Sequence, residues 1–192
     1  GVKIARSEPK AWWPPSLPKA EWESADAEYD DKEGRWRLRN SCPREWTMAY
    51  GKVRLLARLN DGSKHTGVFP EQSPHWDFVM KSAAPHMNRQ PKLLNLFGYT
   101  GAATLAAAAA GFSVTHVDAS RPSVAWARRN QELSGLQDRP VRWIVDDALK
   151  FAKREVRREN RYDAIIMDPP SFGRGPDGQV WKTEEDLPAL LA

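Results

Sequence analysis

Between residues 93 and 172, short apolar runs alternate with longer segments whose hydrophobic positions recur at helical spacing, which predicts strands and helices in turn. Residues 93–97, LLNLF, are apolar and closed by Gly98, as a buried parallel strand would be. Residues 102–110 are alanine-rich, with high helix propensity and little bulk, and Gly111 suits a C-cap. Residues 113–117 alternate and are β-branched, a second strand that delivers Asp118. A helix over 122–133 is ended near Gly135, and a third strand over 141–145 delivers Asp146 and Asp147. A helix over 148–160 can turn Leu149, Phe151, Ala152 and Val156 to a sheet while Lys150, Lys153, Arg154, Arg157 and Arg158 stay wet. The fourth strand, 163–167, runs into Asp168-Pro169-Pro170-Ser171-Phe172. The alternation predicts an α/β fold: a Rossmann-like parallel sheet of about four core strands with right-handed crossovers.

The first part of the chain has a different pattern. Residues 1–33 carry Pro9, Pro14, Pro15, Pro18, Trp12, Trp13 and Trp22, a density of prolines that predicts an extended arm, wrapped so that its tryptophans are buried. Residues 34–40 alternate Trp36 and Leu38 with arginines, a strand with one wet face. Residues 52–59 and 64–69 suggest a β-hairpin around Asn60-Asp61-Gly62-Ser63. The expected organisation is therefore an arm over 1–33, a small N-terminal β subdomain over 34–72 and the α/β core over 73–192. The core opens with a helix over 73–82, Ser73 as N-cap and Pro74 at its first position, ended by Pro85 and Pro91. After Phe172 the pattern predicts only a glycine-rich loop, 173–178, and a helix from 183.

Composition changes this picture little. A chain of 192 residues with 41% hydrophobic content can bury a core. The net charge of +4 arises in residues 1–92, which hold 16 Lys and Arg against 12 Asp and Glu, whereas residues 93–192 hold 13 of each. That balance is compatible with a nucleic-acid partner without demonstrating one. The single cysteine, Cys42, excludes an internal disulfide framework, and the four histidines fall at no metal-ligand spacing. No apolar run has the length of a membrane span and no leader pattern opens the sequence, so a cytoplasmic protein without membrane or metal partners is expected.

The candidate chemistry lies at the carboxyl ends of the four strands, where open α/β sheets bind ligands. Gly98 and Gly101 permit a tight turn without a Cβ between backbone and ligand. Asp118, 20 residues after Gly98, stands where such folds hold ribose hydroxyls. The turn reads Gly-Tyr-Thr-Gly rather than G-x-G-x-x-G, which disfavours a pyrophosphate. A plain structural turn with a capping acid is the alternative. Two prolines after Asp168 fix the backbone, so that its carboxylate and nearby carbonyls could face an acceptor's amino group, while Phe172 could stack on an extruded base.

In order and spacing, the segments HTGVFPEQ (65–72), NLFGYTG (95–101), VDAS (117–120), ARRN (127–130), DDAL (146–149) and MDPPSF (167–172) resemble the class I S-adenosylmethionine-dependent methyltransferases. The resemblance is strongest to the branch of ribosomal large-subunit RNA methyltransferases, in particular cytosine-C5 enzymes. It implies S-adenosyl-L-methionine as cofactor and RNA as partner. It implies that Phe97, Gly98 and Gly101, with Tyr99 and Thr100 between them, flank the methionine part. Asp118, followed by Ala119 and Ser120, would hold the ribose. Asp147, or else Asp146, with Ala148 beside them, would meet the adenine amino group, and Gln72 would close over the cofactor. Asp168, Pro169, Pro170 and Phe172 would form the catalytic segment.

Two departures qualify the resemblance. Cytosine-C5 enzymes add a cysteine to the base, from a region after their fifth strand, and Cys42 lies outside every cleft segment. The family sheet has seven strands and four are accounted for, so a C-terminally truncated fold is expected, with weak cofactor binding and self-association. A sharp monomer in sedimentation with two-state melting at high temperature would refute that. The readings, in order, are an RNA methyltransferase; a methyltransferase acting on an amino or amide nitrogen of a base or protein; a non-catalytic cofactor- or RNA-binding module; and a nicotinamide-dependent oxidoreductase.

Overall fold

The computed structural model describes residues 1–8, 11–39, 41–82 and 89–192. Pro9 and Pro85, named above, and residue 40, the last of the strand expected over 34–40, lie outside the described residues. The chain divides into two compact units, one of residues 1–47 and 57–67, the other of 48–56 and 68–192.

The second unit is built on a four-stranded parallel sheet. Strands β6 (Lys92–Leu96), β7 (Ser113–Asp118), β8 (Val141–Val145) and β9 (Ala164–Met167) lie in the order β8-β7-β6-β9. Leu94 pairs with Thr115 on one side and Ile165 on the other, so β6 is central, and the consecutive burial of Leu93–Leu96 and Val114–Val117 shows that β6 and β7 are covered on both faces. Helix α3 (Ala102–Ala110) presents Leu105 and three successive alanines to the core, and its lack of bulk lets it lie close on the sheet. Helix α4 (Arg121–Leu133) buries Val124, Ala127 and Asn130, one stripe at helical spacing.

Helix α5 (Ala148–Arg157) corrects one expectation. Its inward stripe is Ala148, Phe151 and Glu155, so Val156, one residue further round, is 76% exposed. Phe151 is fully buried against Leu94, Leu96 and Val117, worth about 2–3 kcal/mol. Glu155 tolerates burial because Tyr162 Oη and Asn160 Nδ2 donate to its Oε2 at 2.6 and 2.9 Å. Burial alone would raise its pKa, but these bonds and the neighbouring Arg142 and Arg158 hold it below the ordinary value.

Beyond β9 the expected glycine-rich loop is a hairpin of β10 (Phe172–Arg174) and β11 (Val180–Lys182), followed by α6 (Thr183–Leu191). The hairpin is anchored by Trp181, which is 4% exposed and donates from Nε1 to the Pro170 carbonyl at 2.9 Å. Helix α2 (Ser73–Ser82) follows a 3-10 turn at Pro70–Gln72.

In the first unit, β1 (Ile4–Ala5), β2 (Ala27–Asp30) and β3 (Arg35–Leu38) form a three-stranded sheet, with a short helix α1 (Lys19–Glu23) between β1 and β2. The proline-rich segment thus contributes two strands, with Pro14, Pro15 and Pro18 falling between elements. Trp36 fills the core with Ala27 and Leu59. Trp12, Trp13 and Trp22 are 88%, 71% and 43% exposed, contrary to the expected burial.

The hairpin also differs from expectation. Strand β4 (Glu45–Tyr50) pairs with β5 (Val53–Arg58) around Gly51, whose φ of 56° suits the turn. Residues 64–69 form no strand. The Asn60–Ser63 turn is engaged elsewhere: Asp61 Oδ1 accepts from the Trp36 amide at 3.1 Å and Trp36 Nε1 donates to the Ser63 carbonyl at 3.0 Å.

Candidate functional site

The loop leaving β6 is held in a conformation that ordinary residues avoid. Phe97 and Tyr99 have φ of 56° and 49°, and Gly101 has 86°. For the two non-glycine residues this costs about 1–3 kcal/mol each, strain that clusters at functional sites. The surroundings impose it. Gly98 N–H donates to the Val117 carbonyl at 3.0 Å, Tyr99 N–H to Asp118 Oδ2 at 2.8 Å, and Asn130 Nδ2 to the Thr100 carbonyl at 2.9 Å. A Cβ on Gly98 would lie 2.4 Å from Cε1 of His116, and one on Gly101 would lie 2.9 Å from Cβ of Ala127. Both glycines are therefore sterically required.

Asp118 closes β7 half-buried. Its Oδ2 takes the Tyr99 amide and its Oδ1 the Ser120 amide, each at 2.8 Å. Burial raises its pKa, against the lowering effect of those two bonds. A carboxylate offers about four acceptor positions, so two remain, the number that a vicinal diol needs. A ribose therefore fits here. Ala119 follows half-buried, and Ser120 caps α4 by accepting from the Ser123 amide at 3.3 Å.

At the end of β8 the two acids differ. Asp146 is tied to Arg154 and accepts from the Asp147 amide at 2.9 Å, and its own N–H reaches the Asp118 carbonyl at 3.2 Å. Asp147 caps α5 by accepting the Lys150 amide on Oδ1 at 2.8 Å, while its Oδ2 accepts from no described residue, and Ala148 is buried. At the end of β9, Asp168 is exposed, and its Oδ2 accepts from Gln72 Nε2 at 3.1 Å. Gln72 Oε1 in turn lies 2.5 Å from His75 Nδ1. The Pro170 carbonyl is engaged by Trp181 Nε1 and by Thr183 Oγ1, at 2.9 and 2.6 Å, so it is not available to an acceptor's amino group. Phe172 stands on β10, 55% exposed, with the Arg174 guanidinium 6.0 Å from its ring.

A family model described as S-adenosylmethionine-dependent methyltransferase matches residues 33–184. The chain belongs to this methyltransferase family. A methyltransferase from Agrobacterium tumefaciens, described as S-adenosylmethionine-dependent, has a structure that superposes with a TM-score of 0.91 at 45% identity, covering 98% of this chain and 60% of that one. The SMU.776 structure, named as a methyltransferase complexed with SAH, superposes at 0.68 with 29% identity, over 81% of this chain and 41% of that one. The ribosomal RNA large subunit methyltransferase K/L of Pseudomonas paraeruginosa is 38% identical over 143 residues, 73% of this chain and 18% of that protein. The chain thus spans less than two thirds of each of these relatives.

The family, its cofactor and the α/β fold agree with the sequence-based expectation. Hydrogen bonds tie Gly98, Tyr99, Thr100, Gly101, Asp118, Ser120 and Asp146 together, with Phe97 and Ala119 beside them in the chain, and Asp147 and Ala148 continue this cluster into α5. Gln72 joins Asp168 instead of that cluster. Pro169 and Pro170 lead to the hairpin, where Trp181 packs on Phe97 with ring centroids 4.8 Å apart.

Sequence reasoning missed Asn130, which is fully buried, donates to the Thr100 carbonyl and accepts the Leu56 amide at 2.8 Å. Its place on the Val124-Ala127-Asn130 stripe was a usable signal. It also missed His116, fully buried in β7, with Nδ1 2.9 Å from Thr104 Oγ1 and no hydrogen-bond partner for Nε2 among the described residues. Burial pushes the pKa of this imidazole down to about 3. An unsatisfied buried group costs about 1–3 kcal/mol.

Proposed function

We propose that this chain binds S-adenosylmethionine across the carboxyl ends of its parallel strands and transfers the methyl group to RNA, with ribosomal RNA, named for the K/L relative, as the substrate class. The observation that carries the reading is Asp118: a half-buried carboxylate oriented by two backbone amides, with two acceptor positions left, beside a loop that admits no side chain at Gly98. When bound, the cofactor supplies a methyl group on a cationic sulfur, which a nucleophile takes in one displacement. Asp118 accepts from the ribose hydroxyls. Asp147, with Oδ2 engaged by no described residue, accepts from the adenine amino group, whereas Asp146 is held by Arg154. The strained Phe97–Gly101 backbone lies along the methionine part, and positioning supplies most of the rate. Phe172, exposed on its hairpin, offers a face to an extruded base, with Arg174 beside it. Such a reaction belongs to the cytoplasm.

One observation favours an amino nitrogen as the acceptor atom. Gln72 fixes Asp168 through Oδ2, and the other carboxylate oxygen of this exposed residue accepts from no described residue. It can take an N–H of an exocyclic amine and align its lone pair with the donor. The test is transfer of isotopically labelled methyl from S-adenosylmethionine to large-subunit ribosomal RNA, followed by nucleoside mass spectrometry. The expected result is an N-methylated nucleoside, lost in Asp168→Ala while S-adenosylhomocysteine still binds. Undiminished transfer by Asp168→Ala would overturn the role of Asp168. Cofactor binding with no transfer to any RNA would favour a non-catalytic module.

A further inference from the structure

The most unusual buried group in the second unit is His116. It lies mid-strand on β7, fully buried, where an apolar residue would be the more stable choice. Its partners are internal. Asn95 Nδ2 donates to Thr104 Oγ1 at 2.8 Å, which leaves the threonine hydroxyl proton for His116 Nδ1 at 2.9 Å. The ring proton is then on Nε2, which has no hydrogen-bond partner among the described residues, and the ring is flanked by Trp143 with centroids 4.7 Å apart. Asn95 and Thr104 are themselves buried, so the three side chains form a closed chain from β6 through α3 to β7. The edge of the ring faces the underside of Gly98: a Cβ there would meet Cε1, Nδ1 and Nε2 at 2.4, 2.5 and 3.1 Å.

We infer that His116 is a positioning residue for the cofactor: its ring, locked by Thr104 and Asn95, supports Gly98 from below and sets the backbone of the Phe97–Gly101 loop. The physical reasons converge. The loop holds two non-glycine residues at positive φ and needs rigid support to remain so. An aliphatic side chain at 116 would fill space but could not be fixed in rotation by Thr104. The same loop delivers the Tyr99 amide to Asp118, so a displacement under Gly98 reaches the ribose acceptor through one residue. The inference rests on the cofactor reading given above.

The test is a double-mutant cycle on the affinity of the full chain for S-adenosylhomocysteine, measured by calorimetry beside thermal melting. Gly98→Ala pushes a methyl group into the ring and His116→Ala removes the support, and each is expected to weaken binding by about tenfold or more. In the double variant the new methyl occupies the vacated space, and binding recovers well beyond the product of the single effects. Val114→Ala, a core truncation on the same strand, lowers the melting temperature with affinity unchanged. Additive losses in the double variant, or a His116→Ala chain that melts lower yet binds as the unaltered chain does, would overturn the inference and leave the cofactor reading standing. Failure of the unaltered chain to bind S-adenosylhomocysteine would overturn both.

Discussion

The role proposed for Asp118 rests on its environment more than on its identity. Burial raises its pKa above the ordinary aspartate value, although the Ser120 and Tyr99 amides oppose this. The folded state therefore holds that proton more tightly than the unfolded chain. The stability this lends is present below the ordinary value and lost as pH rises through the raised one. Cofactor binding has the opposite slope, because a protonated carboxyl has fewer acceptor positions for the ribose. Affinity for S-adenosylhomocysteine should fall as pH is lowered, starting above the range of an exposed aspartate, and in Asp118→Asn this pH dependence should disappear. An unchanged pH profile in that variant would count against the assignment. Gly98, Gly101 and Asp118 were legible in the sequence because a glycine turn and a strand-ending acid have a known spacing. His116 and Asn130 were not, since their value lies in what touches them across strands and helices, which no local pattern encodes.

The strands and helices of the parallel sheet were legible for a related reason: each is a run of uniform character closed by a glycine or an acid. The β10–β11 hairpin was hidden because its strands are three residues each and its anchor is a single tryptophan. The hairpin around Gly51 was misplaced to residues 60–63 because Asn60-Asp61-Gly62 has the composition of a hairpin turn, while Asp61 is used by the Trp36 amide. Replacing Trp181 with Phe keeps most of the ring and removes the donor to the Pro170 carbonyl, and should cost about 1 kcal/mol; Trp181→Ala should cost about 3–5. Equal melting temperatures for the three chains would show that the hairpin is not held this way. A second tie joins the amino-terminal ends of β6 and β9. Asp163 receives both Arg89 guanidinium nitrogens at 2.7 and 2.6 Å and the Lys92 amide at 2.8 Å, which lowers its pKa to about 2. Its stabilisation is present above the ordinary aspartate pKa and lost as pH falls toward about 2. Arg89→Ala should therefore melt lower than the unaltered chain near neutrality, with the gap narrowing as acid is added. A gap that stays constant down to low pH would refute this linkage.

At the scale of the whole molecule, the sheet order places β9 at an edge, and Ile165 on it is 59% exposed. An apolar edge strand invites pairing with another chain. Sedimentation of this chain should show concentration-dependent self-association, reduced by Ile165→Lys; a monomer at all concentrations would contradict it. The central claim concerns the cleft at the other end of the strands, and calorimetric titration tests it most directly. The chain is titrated with S-adenosylmethionine and with NAD, and Asp118→Ala is titrated in parallel. Saturable binding of S-adenosylmethionine alone, lost in the variant, is the predicted result. Binding of NAD instead, or S-adenosylmethionine binding that survives the loss of Asp118, would contradict the account.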